Sequence, residues 1–354
     1  MKAISLFSGC GGDSLGMKQA GLEIVAYSEK IKKYQETHHI NFPNSVLLGK
    51  DVKGDIKKTP DAEFLTYKGT IDILFAGFPC QGYSNAGKKK LNDPRNTLFK
   101  EFVRATKCIQ PKYIIGENVK GLLSRKTNNG TPYIDLIQEE FANIGYRTIY
   151  KVLECTKFGV PQKRKRFILL GVKQGSNKEL SFPIGNAAAT NLKSIVSFSL
   201  EGALKIEKDD FDMTTLPHEC VLTDMNNDDE GSNPHPYLLL KAHSRNTTYK
   251  EKTFEKGLLS FSKRISPIHS EIIDIHNPSK TIICTYNHQP RLLVPLRNKK
   301  GFWLRCLLPH ELQQIQGFPP DYKLVGNKKD KITQIGNAVP PPLIETIVRH
   351  LMSI

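Results

Sequence analysis

Cys80 stands behind a proline in GFPCQGYS (77–84), directly after a strand-like apolar run, DILFAG at 72–77. A cysteine on a loop at the carboxyl edge of a sheet is exposed rather than packed, and its glycine and polar neighbours offer no apolar home. A helix N-terminus or a nearby arginine would lower its pKa and supply thiolate. The other six cysteines, Cys10, Cys108, Cys155, Cys220, Cys284 and Cys306, read as inert small hydrophobes. Glu117, in GENV at 116–119, follows the strand-like YII at 113–115 and falls in the same row as Cys80, as a candidate acid. In GVPQKRKRF (159–167), Arg164 and Arg166 alternate with Lys163 and Lys165, so a strand would present arginines on one face and lysines on the other. Such a ladder suits phosphate and carbonyl oxygens, a solvated basic strand being the plainer alternative.

Three further features favour a nucleoside-containing cofactor. LFSGCGG at 6–12 follows an apolar run, and its glycines let the backbone turn sharply beside a ligand. The next helix would offer its N-terminus to a ligand carboxylate. Glu29 closes the second strand, where a carboxylate can accept from two ribose hydroxyls. Asp51, behind Gly49 and Lys50, sits where a third strand should end and could bond an adenine amino group.

The elements that must position these residues alternate. Apolar runs at 2–8, 23–29, 72–77, 113–115 and 166–172 read as buried strands. Leu98, Phe102, Ala105 and Ile109 repeat at helical spacing, and Leu136, Ile137, Phe141 and Ile144 form a second helical face. This alternation predicts an α/β fold, a mostly parallel sheet with helices on both faces and ligands at the strands' carboxyl ends. After about residue 173 the rhythm breaks, and the acidic runs DDFD (209–212) and NDDE (227–230) read as solvated loops. QIGNAVPPPL (334–343) then leads into a helix whose Leu343, Ile344, Ile347, Val348 and Leu351 need the first sheet to cover them. The expected organisation is a discontinuous domain, 1–174 and 326–354, interrupted by a smaller one at 175–325.

A chain of 354 residues, 39% hydrophobic, is ample for two buried cores. Lys and Arg number 51 against 35 Asp and Glu, a net charge of +16 that favours a polyanionic partner. Seven cysteines without a CxxC pair or a zinc-spaced His cluster imply free thiols in a reducing compartment and no metal site. With no signal peptide and no stretch of ~18 apolar residues, the chain is expected to be intracellular and away from membranes.

GFPCQGYS, GENV, QKRKRF, IQGFPPDY and QIGNAVPPPL, in that order behind LFSGCGG, resemble the ordered motifs of the cytosine-5 DNA methyltransferases, most closely the bacterial and viral modification enzymes. The resemblance covers the first ~170 residues and the last ~50, leaving the middle to a variable target-recognition region. It implies a Rossmann-like fold dependent on S-adenosylmethionine, and a monomer acting on double-stranded DNA, often paired with a restriction enzyme. Cys80 would attack carbon 6 of a cytosine flipped from the duplex. Glu117 would donate to ring nitrogen 3, Arg166 would contact the cytosine carbonyl, and Arg164 would hold backbone phosphate or the loop. The cofactor contacts carry over to Phe7, Gly9, Gly11, Glu29, Asp51, Val52, Pro79, Leu98 and Asn337.

The loop at 81–90 resembles the one that closes on DNA, with Gln81, Ser84, Lys88, Lys89 and Lys90 as contacts; a simple solvated turn is the alternative for the lysines. TYNHQPRLLVP (285–295) has the place and polarity of a base-reading segment, with His288, Gln289 and Arg291 as contacts. Tyr83 stands where the family more often has Phe. Leu308, His310 and Gln314 replace its usual Thr and two basic residues, while Arg305 and Glu311 are kept. Relatives of this fold methylate cytosine in transfer RNA, but the long middle region favours DNA. Retention of Cys80, Glu117, Arg164 and Arg166 argues against a silent DNA-binding relative. The glycine loop lacks the spacing of a nicotinamide dinucleotide site.

Overall fold

A computed structural model describes residues 1–79, 98–127, 129–188, 190–238, 259–264 and 270–354. The N-terminal half builds a seven-stranded sheet in the order β3-β2-β1-β4-β5-β8-β6. Its strands are β1 (Lys2–Leu6), β2 (Glu23–Ser28), β3 (Val46–Leu47), β4 (Ile73–Ala76), β5 (Tyr113–Val119), β6 (Tyr146–Glu154) and β8 (Lys165–Lys173). The first five run parallel, and β8 pairs antiparallel with both β5 and β6. The sheet is therefore mostly parallel, as expected. The chain reverses at its center, where the β1 and β4 ends bring the glycine loop beside the loop that starts at Gly77.

The helices follow from their apolar faces. In α4 (Phe99–Ile109), Phe102, Ala105 and Ile109 are fully buried, with Leu98 just ahead of the first turn. Together with α3 (Asp61–Leu65) and α5 (Tyr133–Asn143) it covers one face of the sheet. The opposite face is covered by α1 (Gly12–Gln19) and the last helix, α8 (Pro341–Ser353). All five apolar residues of the C-terminal stripe are buried there. A side chain at Gly16 would run into the backbone of Pro341 and Glu345, so the glycine sets how closely α1 and α8 approach. Between these elements, α2 (Lys32–Asn41) follows β2.

The middle of the chain is not simply loop. It forms a six-stranded sheet in the order β11-β12-β14-β15-β9, with β10 also on β14. These are β9 (Leu204–Lys205), β10 (Leu222–Thr223), β11 (Leu259–Phe261), β12 (Ser270–Ile272), β14 (Leu292–Asn298) and β15 (Gly301–Cys306). Only the β14–β15 hairpin is long; the others run two or three residues. The second core gathers Leu192, Met213, Ile272, Leu293, Trp303 and residues of α6 (Pro309–Ile315) and α7 (Lys328–Asn337). The acidic runs lie at its exposed edge as read, except that Phe211 packs inward. A two-stranded ladder, β7 (Gln162–Lys163) with β13 (Ser279–Lys280), joins the two bodies.

Within the second body, Arg305 and Glu311 are buried together, with Nη1–Oε2 at 2.8 Å and Nη2–Oε1 at 2.7 Å. Glu311 also accepts the Leu308 amide at 2.8 Å and caps α6. The three departures from the family pattern in this segment leave that pair intact.

Candidate active site

Glu117 and Arg166 form the charged floor of the site. On the antiparallel β5–β8 ladder Arg166 stands opposite Val119, and Glu117 opposite Ile168. The two side chains leave the same face and meet with Arg166 Nε 2.8 Å from Glu117 Oε1. Both are about nine-tenths buried. Burial pushes the Glu117 carboxyl above its ordinary range, and the Arg166 charge, then Arg164, partly offsets this. A carboxyl so held can keep a proton and donate it.

The segment Gly77–Pro79, which leads to Cys80, lies beside this floor. Gly77 lies near Glu117, and the Asn118 side-chain amide donates to the Phe78 carbonyl at 3.2 Å. Pro79 is half-buried at the end of that segment. Cys80, Gln81, Tyr83, Ser84, Lys88, Lys89 and Lys90 lie outside the described residues. Among the described cysteines five are buried as expected, but Cys284 is half-exposed beside the Gly336 backbone.

Arg164 departs from the expectation of a phosphate contact. It lies between β7 and β8, two residues before Arg166, and only 1% of it is exposed. Its guanidinium donates to the carbonyls of Ile282, Gly336 and Ala338, each at 3.1 Å. A phosphate cannot reach it without unfolding this junction, so it holds chain segments together. Gln162, also fully buried, accepts the Ile282 amide at 2.9 Å and donates to Gln316 at 2.7 Å. Gln316 in turn donates to the Ala338 carbonyl at 2.5 Å. Gln162 was readable only as part of a motif; its role appears once the segments around 282 and 338 are brought beside it.

At the ends of β1 and β2 the expected cofactor residues converge. Phe7, Gly9 and Gly11 all have positive φ, which costs a non-glycine residue such as Phe7 strain and marks a functional turn. A side chain at Gly9 would meet open space, whereas one at Gly11 would strike Tyr322, Phe42 and His38. The first glycine thus leaves room for a ligand and the second for packing. Glu29 Oε2 accepts the Gly9 amide at 2.9 Å, and its Oε1 accepts the Ile31 amide at 2.7 Å. Those bonds aim a mostly buried carboxylate and leave lone pairs for further donors. Asp51 and Val52 sit in a short 3-10 turn, Lys50–Val52, rather than at the end of β3 itself. Glu63, which the sequence did not flag, accepts the Gly49 amide at 2.7 Å and steadies that turn. Asn337 ends α7 beside the Arg164 junction.

At the N-terminus of α1, expected to favour a ligand carboxylate, a side chain of the protein already competes for the amides. Asp13 in its first turn is buried, receives the Ser5 hydroxyl and faces the amides of Asp13 and Ser14. Burial raises its carboxyl to about 7. The expected base-reading residues lie on a turn before β14, with His288 and Gln289 exposed and Arg291 half-buried. Arg291 donates to Gln289 at 2.9 Å, so the two act as one unit.

Known proteins resemble this chain in fold and in sequence. The solved structure of a mutant of Spodoptera frugiperda DNMT2 superposes with a TM-score of 0.67 over 99% of both chains, at 17% identity, a likeness of fold. Type II methyltransferase M1.HphI of Haemophilus parahaemolyticus is 31% identical over 99% of this chain and 86% of its own. Type II methyltransferase M.FnuDI of Fusobacterium nucleatum is 30% identical over 99% of this chain and 94% of its own. The family model for C-5 cytosine-specific DNA methylases matches residues 1–353, and the chain belongs to that family.

Proposed function

We propose that this DNA cytosine-5 methyltransferase flips a cytosine out of a short site in double-stranded DNA and methylates it as the modification half of a restriction system. The observation that carries the chemistry is the buried Glu117–Arg166 pair at the entry of the Pro79–Cys80 loop. Relatives that align along nearly the whole chain are Type II DNA methyltransferases, which favours DNA over RNA.

The Cys80 thiolate adds to carbon 6 of the extrahelical cytosine, and electrons move toward carbon 5 and nitrogen 3. Glu117 delivers a proton to nitrogen 3 as charge builds there, and Arg166 steadies both that carboxyl and the base carbonyl. S-adenosylmethionine, which the family implies as methyl donor, supplies an electrophilic methyl group to carbon 5. Loss of the carbon 5 proton to water, elimination of the Cys80 thiolate and return of the nitrogen 3 proton to Glu117 restore the aromatic base. Glu29 would hold the ribose, Asp51 and Val52 the adenine, and the Phe7–Gly11 loop with Asn337 the remainder. The space before Gly9 and the aimed Glu29 carboxylate fit such a ligand.

Residues 1–174 and 326–354 would form the catalytic domain, and 175–325 the recognition domain, with α7 of the return segment packing its Ile332 and Ile335 into the second core. His288, Gln289 and Arg291 would meet base edges, and Lys88, Lys89 and Lys90 phosphates, in a monomer working on intracellular DNA. Bisulfite sequencing of DNA from cells expressing the chain, beside a Cys80→Ala control, tests this reading. Methylated cytosines in one shared context, absent from the control, are expected. Unmethylated DNA in both samples would overturn it. DNA with 5-fluorocytosine in that context should trap a covalent adduct only when Cys80 is present.

A further inference from the structure

The amino-acid tail of the cofactor needs a donor for its carboxylate, and the N-terminus of α1 is already engaged by Asp13. Tyr34 is placed to supply one. It lies in the first turn of α2, whose entry is fixed by the ribose-side carboxylate: Glu29 accepts the Ile31 amide at 2.7 Å. The Gln35 side chain donates to the Glu29 carbonyl at 2.6 Å and to the Lys53 carbonyl at 3.1 Å, which ties the same turn to the Asp51 segment. The Tyr34 ring is half-buried.

Residues of four segments act on its phenolic oxygen. The Asn337 side chain is hydrogen-bonded to it, and Cys10 of the glycine loop, Glu29 and Cys284 lie within electrostatic range. When the Asn337 amide donates to the phenolic oxygen, the hydroxyl proton remains for another acceptor. Burial pushes the phenol up to about 12, so the donor persists at any working pH. Beside the glycine loop, this hydroxyl is a donor that Asp13 does not occupy.

We propose that Tyr34 is a cofactor-binding residue whose hydroxyl, oriented by Asn337, donates to the carboxylate of the cofactor's amino-acid tail. The proposal rests on the placement of S-adenosylmethionine at the ends of β1 and β2. Calorimetric titration of the full chain with S-adenosylhomocysteine, and with 5′-methylthioadenosine, which lacks the tail, tests it directly. Tyr34→Phe keeps the ring; it is expected to weaken S-adenosylhomocysteine roughly tenfold and to change methylthioadenosine by less than about twofold. Equal losses for the two ligands, as a packing defect would produce, overturn the proposal. So does unchanged affinity for S-adenosylhomocysteine. If the unaltered chain binds neither ligand, the cofactor placement itself fails, a result distinct from failure of Tyr34 alone.

Discussion

Glu117 and Arg166 are diagonal neighbours across two antiparallel strands, two residues out of register, with 2.8 Å between carboxylate and guanidinium. The backbone ladder, not a flexible loop, sets that distance. Because Arg166 is the largest charge opposing the effect of burial, Arg166→Gln leaves the Glu117 carboxyl higher still. The high-pH limb of single-turnover methylation, where Glu117 loses its proton, is expected to move to higher pH. The maximal rate should drop by about tenfold or more from the lost contact to the base. A limb that stays in place would show that Glu117 is not the titrating acid.

Arg164 is expected to matter for stability rather than for DNA charge. Arg164→Met strands three buried carbonyls, a cost of roughly 3–5 kcal/mol in urea unfolding. Lysine should not rescue it, because one ammonium cannot reach acceptors on three segments. The slope of log affinity for DNA against log salt should stay at the parent value in Arg164→Lys. A slope shallower by about one would restore the phosphate contact that burial argues against.

The buried Arg305–Glu311 pair predicts a strong asymmetry between single and double changes. Glu311→Ala leaves a guanidinium buried without its carboxylate and should cost about 3–5 kcal/mol. Arg305→Met combined with Glu311→Leu removes both charges and should cost clearly less than the sum of the single variants. Additive losses in a double-mutant cycle would mean that the pair is not coupled.

Asp13 gives a pH signature. Its carboxyl sits at about 7 in the fold against an ordinary 3.8. Below that ordinary value it is protonated whether the chain is folded or not. Between about pH 4 and 7 the unfolded chain releases the proton while the folded one keeps it, so the group's contribution falls as pH rises. Asp13→Asn, which can still accept from Ser5, should therefore gain stability over the parent across that window and level off above it. The gain is of order 2–4 kcal/mol by pH 8, read from unfolding at pH 5 and pH 8. His38, buried and held at about 3, is common to both chains and cancels in the difference.

What the sequence made legible, and what it hid, divides along the length of the elements. The strands ending at Leu6, Ser28, Ala76 and Val119 run four to seven residues, and a candidate site residue lies within or shortly after each. The amphipathic helices announced themselves by spacing. β6 escaped notice because its burial is irregular, with Arg147, Tyr150 and Lys151 exposed among apolar residues. The second sheet and the bridging ladder escaped because strands such as Leu222–Thr223 and Ser279–Lys280 are too short to show a period. They exist through pairing with β14 and β7, which is tertiary information. In the site, residue type singled out Glu117 and Arg166, which the fold brings together. It could not distinguish an arginine paired with a carboxylate from one facing carbonyls two residues earlier, nor see that Asp13 folds back onto its own helix.

The ladder between β7 and β13 bears on how new specificities could be built on this frame. Ile282 is held at both its amide and its carbonyl, by Gln162 and Arg164, and Gly336 lies so close to Cys284 that a methyl group there would collide with its backbone. A graft that exchanges the reader of one DNA sequence for another must therefore splice before Ser279 and resume after Cys284, leaving this stretch with its host. Hybrids joined inside it would inherit a reader and a reaction center that no longer share a frame, however well each half folds.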